Sequence, residues 1–240
     1  LTELNHLKWA NADVELETGS GVVPYIYSPN IKVCGIQWAI GLELALLAKD
    51  PMRVFLTTDH PNAGPFFRYP RIMKWLMSTE ARKQQFDALK YRDKVIDATN
   101  LAGIDRELDL YEIAQMTRAG PAKALGLSHM YGGLAPGLEA DVAVFDFNPN
   151  KPYAPDDIEK AFSNARCLFK SGVQIINDGE IVSNGNKRTL WVNAHVNENP
   201  QVMRDVKEKF LRYYTVTLNN YEVTGHYLQN PYVIEVDATQ

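Results

Sequence analysis

Asp59 closes the run Arg53-Val-Phe-Leu-Thr-Thr58 and opens the loop His60-Pro-Asn-Ala-Gly-Pro65. β-Branched and aromatic residues in so short a run predict a buried strand. A carboxylate at the C-terminal end of a parallel strand stands where barrel enzymes gather their reactive groups, because the loops converge there. Spacing alone leaves Asp59 two roles: a cap for the loop, the commoner use of Asp before a turn, or a carboxylate that moves protons for an attacking water. Its neighbours divide the same way. His60 is a pocket hydrogen-bond donor or a structural residue. Asn62 and Arg68 hold a substrate, Arg68 by bidentate pairing with a carboxylate, or they fix the loop and its surface. Gly64 supplies a backbone angle that other residues resist.

The remaining residues capable of chemistry are dispersed. His6, His60, His129, His195 and His226 form no HxH pair, and Cys34 and Cys167 form no CxxC, so neither a thiolate metal site nor a disulfide framework is expected. Both cysteines read as small apolar residues. A formal charge of −4 gives no concentrated basic surface for nucleic-acid phosphates. The longest apolar stretch, Ile36 to Ala48, is interrupted by Gln37, Gly41 and Glu43 and falls short of the roughly 20 residues that span a bilayer. A cytoplasmic protein with no membrane or nucleic-acid partner is the expectation. The opening residues, from Leu1, lack the layout of a secretory signal and read as a start inside a longer polypeptide.

Around the candidate loop, the apolar density of Gln37 to Lys49 predicts a helix buried against a sheet, ended by Asp50-Pro51. Helices are expected at Tyr69 to Met77 and Thr79 to Asn100, and a short extended stretch at Val22 to Ser28. Helix, strand, polar loop, helix is the order of a parallel α/β unit. Asp109-Leu-Tyr-Glu112 fits a capping box opening a helix through Met116 and Thr117, which Gly120-Pro121 breaks or restarts. Strands are expected near Ala140 to Phe147, Ala165 to Lys170, Val173 to Asn177 and Glu180 to Ser183, with a type I′ turn at Asp178-Gly179. Val202 to Tyr213 predicts an amphipathic helix with a basic outer face. The end, Val216 to Val236, is read as extended, and Tyr213, Tyr214, Tyr221, Tyr227 and Tyr232 serve a subunit interface or plain packing.

Two motifs carry a resemblance. Pro121-Ala-Lys-Ala-Leu-Gly-Leu127 is similar to the "NPAKxLGL" that ends the last barrel helix of the amidohydrolase superfamily. Gly133, Leu134, Pro136, Gly137, Ala140, Asp141 and Asp146 match its "GxLxPGxxADxxxxD" return into a flanking β-sandwich. These residues have structural uses of their own: a turn at Pro136-Gly137, a backbone bond at Asp141 and packing by Val142, Val144 and Phe145. Within the superfamily, TTDHPNAGPFFRYPRIMKWLMS and the tyrosine-rich end resemble the A subunits of formylmethanofuran dehydrogenases.

The resemblance implies an α/β fold: residues 1–130 as the C-terminal part of a TIM-like metal-dependent hydrolase barrel, 131–190 as strands of the small β-sandwich, and 191–240 as an extension. It implies Asp59 as the catalytic and metal-binding aspartate, with His60, Asn62 and Arg68 toward formate or the acidic tail of methanofuran. It further implies two zinc ions with most ligands in an absent N-terminal half of the same subunit. Tungsten or molybdenum pterin and iron–sulfur clusters belong to partner subunits. The implied reaction condenses formate with methanofuran in CO2 fixation and methanogenesis, or hydrolyses the formamide in reverse. Three alternatives stay open: the A subunit of a bacterial formyltransferase/hydrolase complex, a stand-alone cyclic amidohydrolase, and a non-catalytic scaffold.

Overall fold

Helix α1, Lys32–Leu47, is apolar on nearly every side, and its described neighbours cover only part of it. The computed structural model describes residues 3–4, 8–9, 28–58, 65–185, 188–195, 199–214 and 230–237. By contact density the chain forms two units, one of residues 24–185 and one joining 1–23 to 186–240.

In the larger unit Cys34, Ala39, Leu42, Ala45 and Leu46 of α1 are buried. They pack on α2 (Tyr69–Met77), α4 (Arg92–Ile96) and the short turn at Leu101–Gly103. The expected sheet beneath α1 is therefore replaced by helices, and Val33, Ile40, Leu44 and Leu47 on its other side are exposed. Only a helix with neighbours all round can be apolar all round, which is why residue density alone misjudges the partner. Trp38 anchors the buried side, edge-on to Trp75 at 5.7 Å and to Phe86 at 5.0 Å. Neither cysteine is in a disulfide; Cys34 is buried and Cys167 half-buried.

The stretch expected as a strand over Arg53 to Thr58 begins instead with a 3-10 turn, Pro51–Arg53, capped by the Asp50 carboxylate accepting from the Met52 N–H at 3.1 Å. Residues 54–58 belong to no β-ladder among the described residues, and Val54 has extended angles, φ −120° and ψ 124°. Backbone preference is local, but a ladder needs a second strand. The helix expected over Thr79 to Asn100 is also divided. α3, Thr79–Asp87, stops where Leu89 turns into the core and the Lys90 N–H is given to Pro29 O, and α4 follows.

The capping box forms as expected: Asp109 Oδ1 accepts from the Glu112 N–H at 2.8 Å, and Glu112 Oε2 accepts from the Asp109 N–H at 3.1 Å. Glu112 also pairs with Arg106, whose guanidinium donates to the carbonyls of Leu46 and Ala48 and so closes the last turn of α1. Beyond α5, Leu110–Ala114, the chain does not break at Gly120-Pro121. A π-turn, Gln115–Ala119, carries it into α6, Gly120–Ala124. Proline has no N–H for the carbonyl four residues back and collides with it; a widened turn removes that conflict without ending the helix. A Cβ on Gly120 would lie 2.8 Å from Gln115 O and 2.9 Å from Met52 O, so the residue also lets the 51–55 segment approach. The motif Lys123-Ala-Leu-Gly-Leu127 then stops the helix. Gly126 takes φ 72°, its N–H is donated to Lys123 O, and the Leu127 N–H goes to Ala122 O, which is the Schellman pattern.

The following sheet is antiparallel in the order β3 (Val142–Val144), β4 (Cys167–Lys170), β5 (Val173–Asn177), β6 (Glu180–Ile181). Asp178 and Gly179, at φ 46° and 83°, make the expected I′ turn; Ser171 and Gly172, at 49° and 78°, make a second one that the sequence did not announce. Asp141 accepts from the Ser171 N–H at 2.7 Å and pairs with Lys170, so the motif aspartate ties the start of β3 to the β4–β5 turn.

Helix α7, Pro155–Ser163, was not expected. It packs on α2 through buried Ile158 and through Glu159, which accepts from Arg71 Nε at 2.8 Å and pairs with Lys74. Partial burial works against the Glu159 charge, but hydrogen bonds from Lys74 and Arg71 outweigh it and hold the carboxyl below its ordinary value. A carboxyl depressed in the folded state stabilises above its unfolded pKa, and that stability is lost as pH falls through the folded value. Glu159→Gln is therefore expected to cost about 1 kcal/mol near pH 7. In urea melts that gap should close below about pH 4, near the usual carboxylate range; an equal gap at both pH values would assign the cost to packing.

The smaller unit contains β1 (Glu3–Leu4) antiparallel to β2 (Lys8–Trp9), and β7 (Thr189–His195) parallel to β8 (Pro231–Asp237). β7 was not expected, although Thr-Leu-Trp-Val carries strand-forming residues. Parallel strands need a crossover, and the intervening residues include α8, Pro200–Tyr213, at the place expected for an amphipathic helix. Of the tyrosine stripe, Tyr214 stacks on Phe210 at 4.7 Å and Tyr232 lies under Arg188 at 5.2 Å. Tyr221, Tyr227 and most of the expected extended tail lie outside the described residues, as does Val22 to Tyr27.

Candidate active site

The extended residues 54–58 and the start of α2 are held together at one point. Tyr69 donates its hydroxyl to Leu56 O at 3.4 Å, two residues before Thr58. Thr58 is buried, and its hydroxyl has no hydrogen-bond partner among the described residues. Behind this segment Met52 O and Phe55 press on Gly120, so the π-turn and α6 back it. The arrangement fixes both ends of the 59–64 loop. Asp59, His60 and Asn62 themselves lie outside the described residues.

Arg68 is described. It ends a 3-10 turn, Phe66–Arg68, that leads directly into α2, it is exposed, and its guanidinium sits 5.5 Å from the Phe67 ring centre. Phe66 and Phe67 were not singled out in the sequence. An aromatic doublet following Gly-Pro at the end of a polar loop was the available signal, since such rings are rarely placed in water without use.

Among the described residues no three of His, Cys, Asp and Glu converge in a manner that holds a metal ion. His129 and His195 are exposed, and His195 is engaged by Glu235 at 2.7 Å. The described side chains therefore do not fit a binuclear centre by themselves. A cleft of about 890 Å³ opens elsewhere in the larger unit, between α7 and the end of the sheet, lined by residues including Phe147, Lys151, Tyr153 and Lys160. Its Arg166 is placed between Asp146 and Asp178, each at 3.4 Å, which raises its pKa, chiefly through the Asp146 charge. None of the residues expected at the active site lines it. No helix among the described residues is long and apolar enough to cross a membrane.

Comparison with known proteins gives the same direction over most of the chain. It is 48% identical over 237 residues to Protein FwdA of Methanocaldococcus jannaschii, covering 98% of this chain and 41% of that protein. It is 43% identical over 185 residues to the A component of the formyltransferase/hydrolase complex Fhc of Methylorubrum extorquens, covering 76% of this chain and 31% of that one. The crystal structure of the formyltransferase/hydrolase complex FhcABCD from Methylorubrum extorquens, in complex with methylofuran, superposes with a TM-score of 0.69 at 35% identity, over 88% of this chain and 37% of the matched one. The chain thus spans about two fifths or less of the length of these relatives. The sequence model of the Amidohydrolase family matches residues 2–183. With its helix-stop and turn motifs formed as that family's pattern requires, this mixed α/β chain belongs to the amidohydrolase family.

Proposed function

We propose that the chain is the C-terminal part of the A subunit of a formylmethanofuran dehydrogenase and supplies one carboxylate, Asp59, to an amide-forming and amide-cleaving site. The observation that carries the reading is the 48% identity with FwdA across 98% of the chain, which continues past the end of the family match at residue 183. In this reading residues 1–130 complete a barrel, 131–190 add strands to a β-sandwich, and 191–240 form an extension. The remaining polypeptide of the subunit and further subunits of a redox complex are its partners, and the cytoplasm is its compartment.

In the hydrolytic direction a water oxygen bonds to the formamide carbon, the C–N bond breaks, and formate and a primary amine leave. Asp59 takes the proton from that water and returns it to the departing nitrogen. A pair of zinc ions, held mostly by residues outside this chain, would acidify the water and polarise the carbonyl. His60 and Asn62 are assigned to the loop that bounds the formyl group, and Arg68 to carboxylates farther along the amine. Extended backbone over 54–58, backed by the helix at Gly120, gives Asp59 a firm root.

The test is release of formate from N-formylfurfurylamine by the full-length protein, alongside its metal content. About two zinc per chain is expected, with activity lost on chelation and restored by zinc. A metal-free, fully assembled preparation with no turnover would establish the scaffold role instead. The second reading, a component of a formyltransferase/hydrolase complex, is favoured by the likeness to the methylofuran-bound complex. Tungsten or molybdenum pterin and iron–sulfur clusters in co-purifying subunits separate the two.

A further inference from the structure

We propose that Phe66 and Phe67 form an aromatic platform that holds the flat ring of the amine substrate, with Arg68 extending it toward that substrate's carboxylates. The inference rests on the functional reading above for the identity of the ring, and on the structure for the platform. Phe66 and Phe67 are 62% and 63% exposed. Leaving such a side chain in water forfeits the stabilisation that burying it would give, so two adjacent ones constitute a surface kept for contact. The rings are not splayed at random: their centres are 6.1 Å apart and their planes cross at 75°, an edge-to-face pair. The arrangement is one that aromatic groups favour, and a third ring can extend it.

Position gives the platform its purpose. Tyr69, the next residue after Arg68, is bonded to Leu56 O, so the turn lies beside the C-terminal half of the extended segment that leads into Asp59. Arg68 lies over Phe67 and makes no ion pair among the described residues, leaving its planar fork available to a carboxylate. A substrate suited to these three residues has a flat ring near its reacting nitrogen and an acid group beyond the ring. A furan-bearing amine with an acidic tail meets that description. An aliphatic formamide does not.

The experiment compares N-formylfurfurylamine, which has the ring, with N-formylpropylamine, which lacks it, on the full-length protein in the assembly from which it purifies. Both dissociation constants and turnover are measured for wild type and for three double variants: Phe66→Ala with Phe67→Ala, Phe66→Leu with Phe67→Leu, and Phe66→Tyr with Phe67→Tyr. One ring contact is worth about 2- to 13-fold in binding. The Ala and Leu pairs should therefore weaken the furfuryl compound about tenfold, with kcat within a factor of two and the propyl compound unaffected, and the Tyr pair should restore wild-type binding. Equal losses on both compounds, or a Leu pair indistinguishable from wild type, would overturn the platform. So would loss of assembly without any change in either constant, because the rings would then belong to a protein interface. If wild type binds the furfuryl compound but hydrolyses neither, the functional reading fails while the ratio of the two dissociation constants still decides the platform.

Discussion

Asp59→Asn is expected to lower formate release from N-formylfurfurylamine by about 10²- to 10⁴-fold, the range that a positioned proton-transfer group contributes. The substitution keeps the size and planarity of the side chain and removes its ability to accept a proton. Because the residue sits where the extended 54–58 segment ends and a loop begins, the fold should persist, with the denaturation midpoint little changed. Metal analysis of the variant divides the two roles given to this carboxylate. Zinc retained with activity lost isolates the proton-transfer role; zinc lost together with activity makes ligation the main one. Turnover within about threefold of wild type, a loss far below what such a group contributes, would remove Asp59 from the chemistry altogether.

The largest stability effect should come from Arg82. Its side chain is 2% exposed, and its guanidinium ties three backbone segments: Nη1 donates to Trp75 O at 2.7 Å, and Nη2 to Ile104 O at 3.0 Å and Arg106 O at 2.9 Å. Thr79 Oγ1 accepts a further bond at 3.3 Å. Burial lowers the pKa, opposed by the charges of Glu107 and Asp105, yet a guanidinium stays protonated in proteins. Arg82→Met fills similar space but leaves those carbonyls buried and unsatisfied, at about 1–3 kcal/mol each before relaxation. A net loss of roughly 3–5 kcal/mol is expected, a large share of a typical domain's stability. Arg82→Lys should recover little, since one ammonium cannot reach acceptors spread across the fork. Urea melts measure this against the exposed neighbour Lys83→Met, which should behave as wild type. A loss under about 1 kcal/mol for Arg82→Met would mean the carbonyls find other donors.

What the sequence disclosed depended on whether a signal was local. The capping box at Asp109, the Asp178-Gly179 turn and the start of α8 near Val202 each follow from a few adjacent residues, and each is present. Gly120-Pro121 was readable as a disturbance but not as a π-turn, because the outcome depends on Met52 and Phe55 pressing from elsewhere in the chain. Arg82 gave no hint of burial, since its acceptors are carbonyls supplied by residues up to 24 positions away. α7 was hidden because Asp156, Asp157, Glu159 and Lys160 make its window polar, and only Ile158 and Phe162 face apolar neighbours. At the candidate site the aspartate was recognisable by its place after a β-type run. That the 54–58 stretch has no ladder among the described residues was not recognisable, because pairing is a property of two segments.

The parallel register of β7 and β8 bears on how the chain reaches this form during synthesis. β4, β5 and β6 are joined by two tight turns and can zip together in microseconds as soon as they emerge. Asn193, by contrast, meets Glu235 across 42 residues, so β7 leaves the ribosome with its ladder partner still untranslated. At about 5–20 residues per second it waits seconds, with Trp191 and Val192 at a bare edge. The final residues of the chain act as a late-arriving lock, and a ribosome that stalls short of Pro231 releases a nascent product with a sticky, half-made ribbon at its end.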